Sequence, residues 1–303
     1  MSTQTHPEPK LDSVGDNSTT IRSQVADAYA NALSQAQQAN AGCCGASETP
    51  FGTAAKIAGY DAELEEHDGA AVTSFGCGNP LAFSGVEPGQ TVVDLGSGAG
   101  FDLLIAAKKV GPEGRVIGVD MTDAMIETAR ANAARAGAEQ IEVRKGLIEA
   151  MPLADDSTDW VISNCVINLS PEKERVFAEI HRVLKPGGHF SISDIVVEEL
   201  PAAIRQHSAA YAACVSGAIR EEAYLDGLRA AGLDEVTVTE RQVYTKEQIV
   251  GIIGSDLESF GLDPQLLSDH LDDLVGKVWS AKFQGQKPSP RVADDRTGLL
   301  NCC

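Results

Sequence analysis

Two groups of residues in this 303-residue sequence are of types and spacings that could do chemistry. The first is Val93-Asp94-Leu95-Gly96-Ser97-Gly98-Ala99-Gly100. Glycines in such a run close a tight strand-to-helix turn and let backbone approach a ligand. The spacing is GxGxG with an acid just before it, not the GxGxxG of a dinucleotide fingerprint. A nucleoside carrying an amino-acid arm needs no long pyrophosphate stretch. Asp120 ends a second β-branched run, roughly twenty residues on, where this type of fold places a ribose-binding acid. A carboxylate there can accept both ribose hydroxyls. Gly146-Leu147-Ile148-Glu149 follows a third such run, where an adenine edge would lie.

The second group is the seven cysteines: Cys43, Cys44, Cys77, Cys165, Cys214, Cys302 and Cys303. Cys165 lies in Ser163-Asn164-Cys165-Val166-Ile167-Asn168-Leu169-Ser170, after the fourth predicted strand, where many enzymes of this architecture carry a base or polar clamp. A buried cysteine can be no more than a small hydrophobe. Cys77, Cys43 and Cys44 are flanked by glycines, however, and Cys214 ends a helical stretch, so the set reads as ligand-like. Zinc would call for close-paired CxxC or histidine spacing, which is lacking here. Scattered single thiols suit a soft, thiophilic centre held by few ligands, of which trivalent arsenic is one. Three thiolates would leave its lone pair free to act as a nucleophile. His67, His181, His189 and His207 have no ligand-like pairing and read as structural or surface residues.

These residues need a frame. A helix is predicted over Ile21–Ala39, broken by Gly42-Cys43-Cys44-Gly45. Strands are predicted at Thr91–Leu95, Arg115–Asp120, Ile141–Lys145, Asp159–Ser163 and His189–Val197. Helices are predicted at Phe101–Val110, at Thr122–Ala136 with Thr122 as N-cap, and from Ser170-Pro171 to Lys185. Strands alternating with helices mean βαβ units and a mostly parallel sheet. Beyond Glu198 helices are expected over Leu200–Gly217, Arg220–Ala231, Lys246–Gly254 and Pro264–Val278, with a strand at Val236–Tyr244.

The glycine loop, Asp120, the 147–149 segment and Arg182-Val183-Leu184-Lys185-Pro186-Gly187-Gly188 together resemble class I S-adenosylmethionine methyltransferases. The resemblance implies that Asp94, Gly96, Ser97, Gly98, Gly100, Asp120, Met121, Leu147, Ile148, Glu149 and Asn164 bind the methyl donor. Phe75-Gly76-Cys77-Gly78-Asn79-Pro80, Ile162 to Ser170, Ile192-Ser193-Asp194-Ile195-Val196, Asp120-Met121-Thr122 and Cys43-Cys44-Gly45 are similar to arsenite S-adenosylmethyltransferases over about residues 40–280. That likeness implies that Cys44, Cys77, Cys165 and Cys214 are the functional cysteines, Cys43 being a possible substitute for Cys44. Cys165 and Cys214 would hold As(III) for methylation. Cys44 and Cys77 would join in capturing the inorganic form and in thiol–disulfide exchange. Glutathione-bound arsenite is the expected substrate, glutathione or thioredoxin the expected reductant, and no metal cofactor is expected.

The expected architecture is α/β: a Rossmann-like methyltransferase sheet with a helical N-terminal segment and a smaller α+β C-terminal domain. The expected division is 1–40, a disordered or helical N-terminal region; 41–198, the donor-binding domain; 199–285, the C-terminal domain; and 286–303, a tail carrying Cys302-Cys303. Hydrophobic residues make up 43% of the chain, enough for a sizeable core. The formal net charge of −20 repels phosphates and anionic membranes, so neither nucleic acid nor membrane is an expected partner. No secretory signal or membrane-length apolar run is visible, and a cytoplasmic monomer is expected. Two other classes fit the same residues: a methyltransferase of a small organic acceptor with incidental cysteines, and a non-catalytic arsenic-binding protein. The latter would need no donor site.

Overall fold

A computed structural model describes residues 14–40, 78–81, 84–205, 207–212, 214–252, 265 and 269–290. In chain order the elements begin with α1 (Val14–Asn40), β1 (Thr91–Leu95), α2 (Phe101–Val110), β2 (Arg115–Asp120) and α3 (Asp123–Ala136). Next come β3 (Ile141–Lys145), β4 (Thr158–Asn164), a single 3₁₀ turn (Ile167–Leu169), α4 (Lys173–Val183) and β5 (Leu184–Val197). Then follow α5 (Ala202–Arg205), α6 (Ser208–Ala212), α7 (Glu221–Ala230), β6 (Asp234–Val243), α8 (Lys246–Ile252), α9 (Leu271–Leu274) and β7 (Val278–Gln286).

The strands form one seven-stranded sheet in the order β3-β2-β1-β4-β5-β7-β6. β1 to β5 run parallel, and β7 is antiparallel to both β5 and β6. The central strands are covered on both faces, so they read as continuous apolar runs. Neighbouring residues serve opposite layers. Val92 and Val116 pack with Leu103, Ala106 and Ile126, while Val93 and Ile117 pack with Val176, Phe177 and Ile180. Order reverses at β1, whose neighbours are β2 and β4, and this reversal opens a crevice at the carboxyl ends of those strands.

Local signals explain the crevice-forming helices. Gly100 caps α2 in the left-handed conformation at φ 90°, and Gly137 closes α3 in the same way. Thr122 precedes α3 as expected, but its side chain makes no capping bond; its backbone N–H instead donates to Asp120 Oδ1 at 2.8 Å.

The second half differs from expectation. The helix predicted over Leu200–Gly217 is two short pieces, α5 and α6. β5 begins at Leu184, inside the turn that was to end α4. Part of the helix predicted over Pro264–Val278 lies outside the described residues; the rest is one turn, α9, and then strand β7. β7 and β6 extend the same sheet. β7 inserts between β5 and β6, where Phe283 is fully buried and stacks on Tyr224 with ring centroids 4.3 Å apart. No helix among the described residues is long and apolar enough to cross a membrane. Truncating Phe283 removes a ring from a layer that cannot collapse around the gap. Phe283→Ala should cost about 3–5 kcal/mol of stability, measured by denaturant titration.

Candidate methyl-donor and thiol site

Three strand ends supply the walls of the crevice. After β1, Gly96 and Gly98 adopt φ of 61° and 52°. A Cβ on Gly96 would lie 2.2 Å from Val166 Cγ2, so only glycine lets this turn meet the loop after β4. After β2, Asp120 accepts from the Gly98 N–H at 2.9 Å and from the Thr122 N–H, tying the glycine turn to the start of α3. After β3, Gly146 donates to the Asp120 carbonyl at 2.9 Å, and this brings Leu147, Ile148 and Glu149 to the rim.

The result is a cleft with about 970 Å³ of space, continuous with solvent. Asp94, Gly96, Ser97, Gly98, Asp120, Met121, Leu147, Ile148, Glu149 and Asn164 all line it, as does Cys165. Of the expected donor-binding set, Gly100 alone is not in the lining; it caps α2 behind the turn.

Sequence reasoning missed the roof. Arg22, Val25 and Tyr29 of α1 close one side of the cleft. Arg22 donates to Glu149 at 3.1 Å and also pairs with Glu172, and the Ser170 hydroxyl donates to Glu149 at 2.6 Å. The buried Glu149 is thereby fixed at the cleft wall. Asp102 in the first turn of α2 was missed too; it accepts from Asn164 Nδ2 at 3.1 Å. A polar helix with scattered apolar residues announces no ligand face, so α1 offered no signal. An acid in the first turn of a helix reads simply as dipole compensation.

The electrostatics of the cleft are those of a cation site. Asp94, Asp102 and Asp120 are all buried on its walls. Burial, then the charges of Asp102 and Asp120, push Asp94 well above the usual carboxylate range. Burial also raises Asp120, opposed by the backbone N–H groups of Thr122 and Gly98. A ligand bearing an ammonium and a sulfonium would relieve this crowding. The buried Ser97 hydroxyl lines the same cleft and has no hydrogen-bond partner among the described residues. Together with the glycine cradle, these features fit S-adenosylmethionine.

Beyond the cleft lies the thiol site. The structure brings together Cys165 (4% exposed) and Cys214 (3% exposed) in one apolar cluster with Val25 and Leu169. The Cys214 thiol donates to the Cys165 carbonyl, and Tyr29 Oη lies 3.9 Å from its sulfur. Cys165 is disulfide-bonded, whereas Cys214 is free. Burial pushes the Cys214 thiol far up, and the charge of Asp194 adds to that, against the Tyr29 hydroxyl and Lys173. Cys43, Cys44, Cys77, Cys302 and Cys303 lie outside the described residues. Gly78, which follows Cys77 in sequence, is held by Asn164 on both sides: its N–H donates to Oδ1 at 3.1 Å and its carbonyl accepts from Nδ2 at 2.7 Å. Among the described residues no group of three or more His, Cys, Asp or Glu side chains could hold a metal ion. His189 stacks on Trp160 at 4.9 Å, consistent with a structural role.

A doubly wound sheet with a glycine turn, an acid after β2 and a cleft at the strand reversal defines a class I methyltransferase. The family model described as "Methyltransferase domain" matches residues 86–251. A curated arsenite methyltransferase of Halobacterium salinarum is 45% identical over 208 residues, 68% of this chain and 52% of that protein. Another, of Aquipseudomonas alcaligenes, is 36% identical over 66% of this chain and 58% of that protein. The crystal structure of an arsenic(III) S-adenosylmethionine methyltransferase from Chlamydomonas reinhardtii superposes with a TM-score of 0.58 at 34% identity, covering 78% of this chain and 74% of the other. The chain belongs to the methyltransferase family and, within it, to the arsenite methyltransferases. It spans little more than half the length of those curated relatives.

Two expectations follow for the donor. The raised acids must ionise to meet a cation, so binding should release protons. Donor affinity should fall as pH is lowered toward the elevated values of Asp94 and Asp120, and calorimetry in buffers of different ionisation enthalpy should detect the protons. By the same linkage, acids raised in the folded state stabilise it at low pH and lose that contribution as pH rises through their folded values. Thermal protection by donor should therefore grow with pH. Separately, Arg22→Ala should weaken donor binding about tenfold by freeing Glu149, with unchanged calorimetric affinity counting against the roof.

Proposed function

We propose that this protein transfers methyl groups from S-adenosylmethionine to trivalent arsenic held by cysteine thiolates. The single observation that carries this reading is the placement of Cys165 and Cys214 together beside the donor cleft, with Cys165 in its wall. The arsenite methyltransferase activity for which the similar proteins are named supports it. Asp94, Ser97 and the glycine turn would hold the amino-acid arm, Asp120 the ribose, Met121 and residues 147–149 the adenine, and Asn164 the wall nearest the thiols. Bound there, the donor supplies an electrophilic methyl on a sulfonium.

The residues of the chain do the rest. Cys165 and Cys214 bind arsenic as thiolates, and each gives up its proton as arsenic exchanges from a carrier thiol, glutathione being the expected one. Cys77 and Cys44, or Cys43 in its place, complete the capture of inorganic arsenite. Positioning is the main demand on the protein. No general base is required, because the arsenic lone pair carries no proton. Forming the arsenic–carbon bond from that lone pair would break the methyl–sulfonium bond, release the donor as its neutral thioether, S-adenosylhomocysteine, and leave arsenic formally pentavalent. Two electrons from a pair of cysteine thiols return it to the trivalent state. The pair becomes a disulfide, which glutathione or thioredoxin reduces. A disulfide at Cys165 is compatible with such a cycle.

The test is arsenic speciation by chromatography after incubation with arsenite, donor and thiol. Cys165→Ser or Cys214→Ser should abolish all methylation. Cys44→Ser or Cys77→Ser should abolish methylation of arsenite yet spare a monomethylated substrate. Full activity in all four variants would overturn the cysteine reading and favour an organic acceptor.

A further inference from the structure

Cys165 and Cys214 share an unusual backbone state. Among the described residues, four non-glycine positions have positive φ: Asp156, Glu235, Cys165 at 57° and Cys214 at 63°. A side chain in the left-handed region is strained and persists only where its surroundings over-determine it. Cys165 carries a disulfide, and the surroundings of Cys214 converge on one side chain. Asn168 Nδ2 donates to the Cys214 carbonyl at 3.3 Å, to the Ile195 carbonyl at 2.6 Å and to Asp194 Oδ1 at 2.8 Å. The Asn168 backbone N–H reaches Asp194 Oδ2 at 3.2 Å. Asn168 and Asp194 are both fully buried.

Asp194 in turn is held from three elements. It accepts from the Ile195 N–H at 2.9 Å and from the Tyr224 hydroxyl of α7 at 3.3 Å, and Lys173 of α4 lies near enough to oppose the rise that burial causes. Lys173 Nζ also donates to the Asn168 carbonyl at 3.2 Å. The Cys165 N–H donates to Ser193, one residue before Asp194. Gly217 presses on the same point: a Cβ there would lie 2.1 Å from the Asn168 carbonyl oxygen. The loop carrying Cys214 is thus seated on the turn that follows Cys165, and Asn168 is the bolt.

We infer that Asn168, anchored by Asp194, is a positioning residue that presets the backbone of Cys165 and Cys214, so that reduction of the disulfide at Cys165 yields a fixed pair of thiols for a trivalent arsenical. This rests on the reading of the two cysteines as arsenic ligands. Asn168 lines no part of the donor cleft. Its loss should therefore separate the two binding functions.

The experiment uses the full chain, reduced and freed of thiol, with phenylarsenous acid as the arsenical. Asn168→Ala and the milder Asn168→Ser are compared with Ile180→Val, which thins the core beneath α4. In both Asn168 variants we expect arsenical affinity about tenfold weaker, and Cys214 alkylated by iodoacetamide about tenfold faster as read by peptide mass spectrometry. Donor affinity should stay within about twofold, and Ile180→Val should move neither thiol readout. Wild-type alkylation rate and arsenical affinity in a folded Asn168 variant would overturn the inference. So would equal changes in Ile180→Val, which would mark a general loosening. A wild-type protein that ignores the arsenical, while the Asn168 variants still unmask Cys214, would remove the arsenic reading and leave the positioning role standing.

Discussion

The working parts of this molecule depend on one close approach, that of Gly96 to Val166. The turn after β1 and the loop after β4 can meet only because one of them lacks a side chain. Strand order reverses between these two elements, so the crevice is a product of topology. The missing Cβ decides how tightly the crevice closes. It sets the glycine turn against the residue that follows Cys165, and so places the donor cleft and the thiol within one wall of each other.

That wall is electrostatically tense. Four buried carboxylates line the cleft, and burial holds two of them, Asp94 and Asp120, above their ordinary range. A protein devoted only to its own stability would neutralise them with arginine. The arginine at this end of the sheet, Arg22, is spent instead on Glu149 and Glu172. Asp94 and Asp120 keep the elevation that burial gives them. On the thiol side the logic is reversed. Burial and Asp194 push Cys214 toward its protonated form, which is a poor nucleophile.

Much of this was legible in the sequence because the signals are local. β1, α2, β2 and β3 fall at their predicted residues, since β-branched runs punctuated by glycine have few other outcomes. The glycine turn, Asp120 and residues 147–149 converge because each sits at the carboxyl end of its own parallel strand. What escaped was non-local. α1 roofs the cleft through contacts more than a hundred residues away in sequence, as Arg22 to Glu149 illustrates. β7 carries Lys282, which is buried because Glu240 of the neighbouring strand pairs with it at 2.9 Å. No single-sequence pattern announces a lysine that will be buried by a partner strand. Asn168 looks like any loop asparagine until Asp194 and Cys214 are folded around it.

The insertion of β7 between β5 and β6 has a bearing on how the molecule is made. β6 precedes β7 along the chain, yet it cannot join the sheet without it. While residues 245–286 are still being synthesised, the edge of β5 that pairs with β7, the nine residues His189–Val197, stands bare. Edges of this kind invite pairing with other chains. The nascent protein therefore passes through a vulnerable interval that ends only when β7 pairs with β5. The outer half of the sheet, β5-β7-β6, can therefore close only after a strand that follows β6 in the chain has been made.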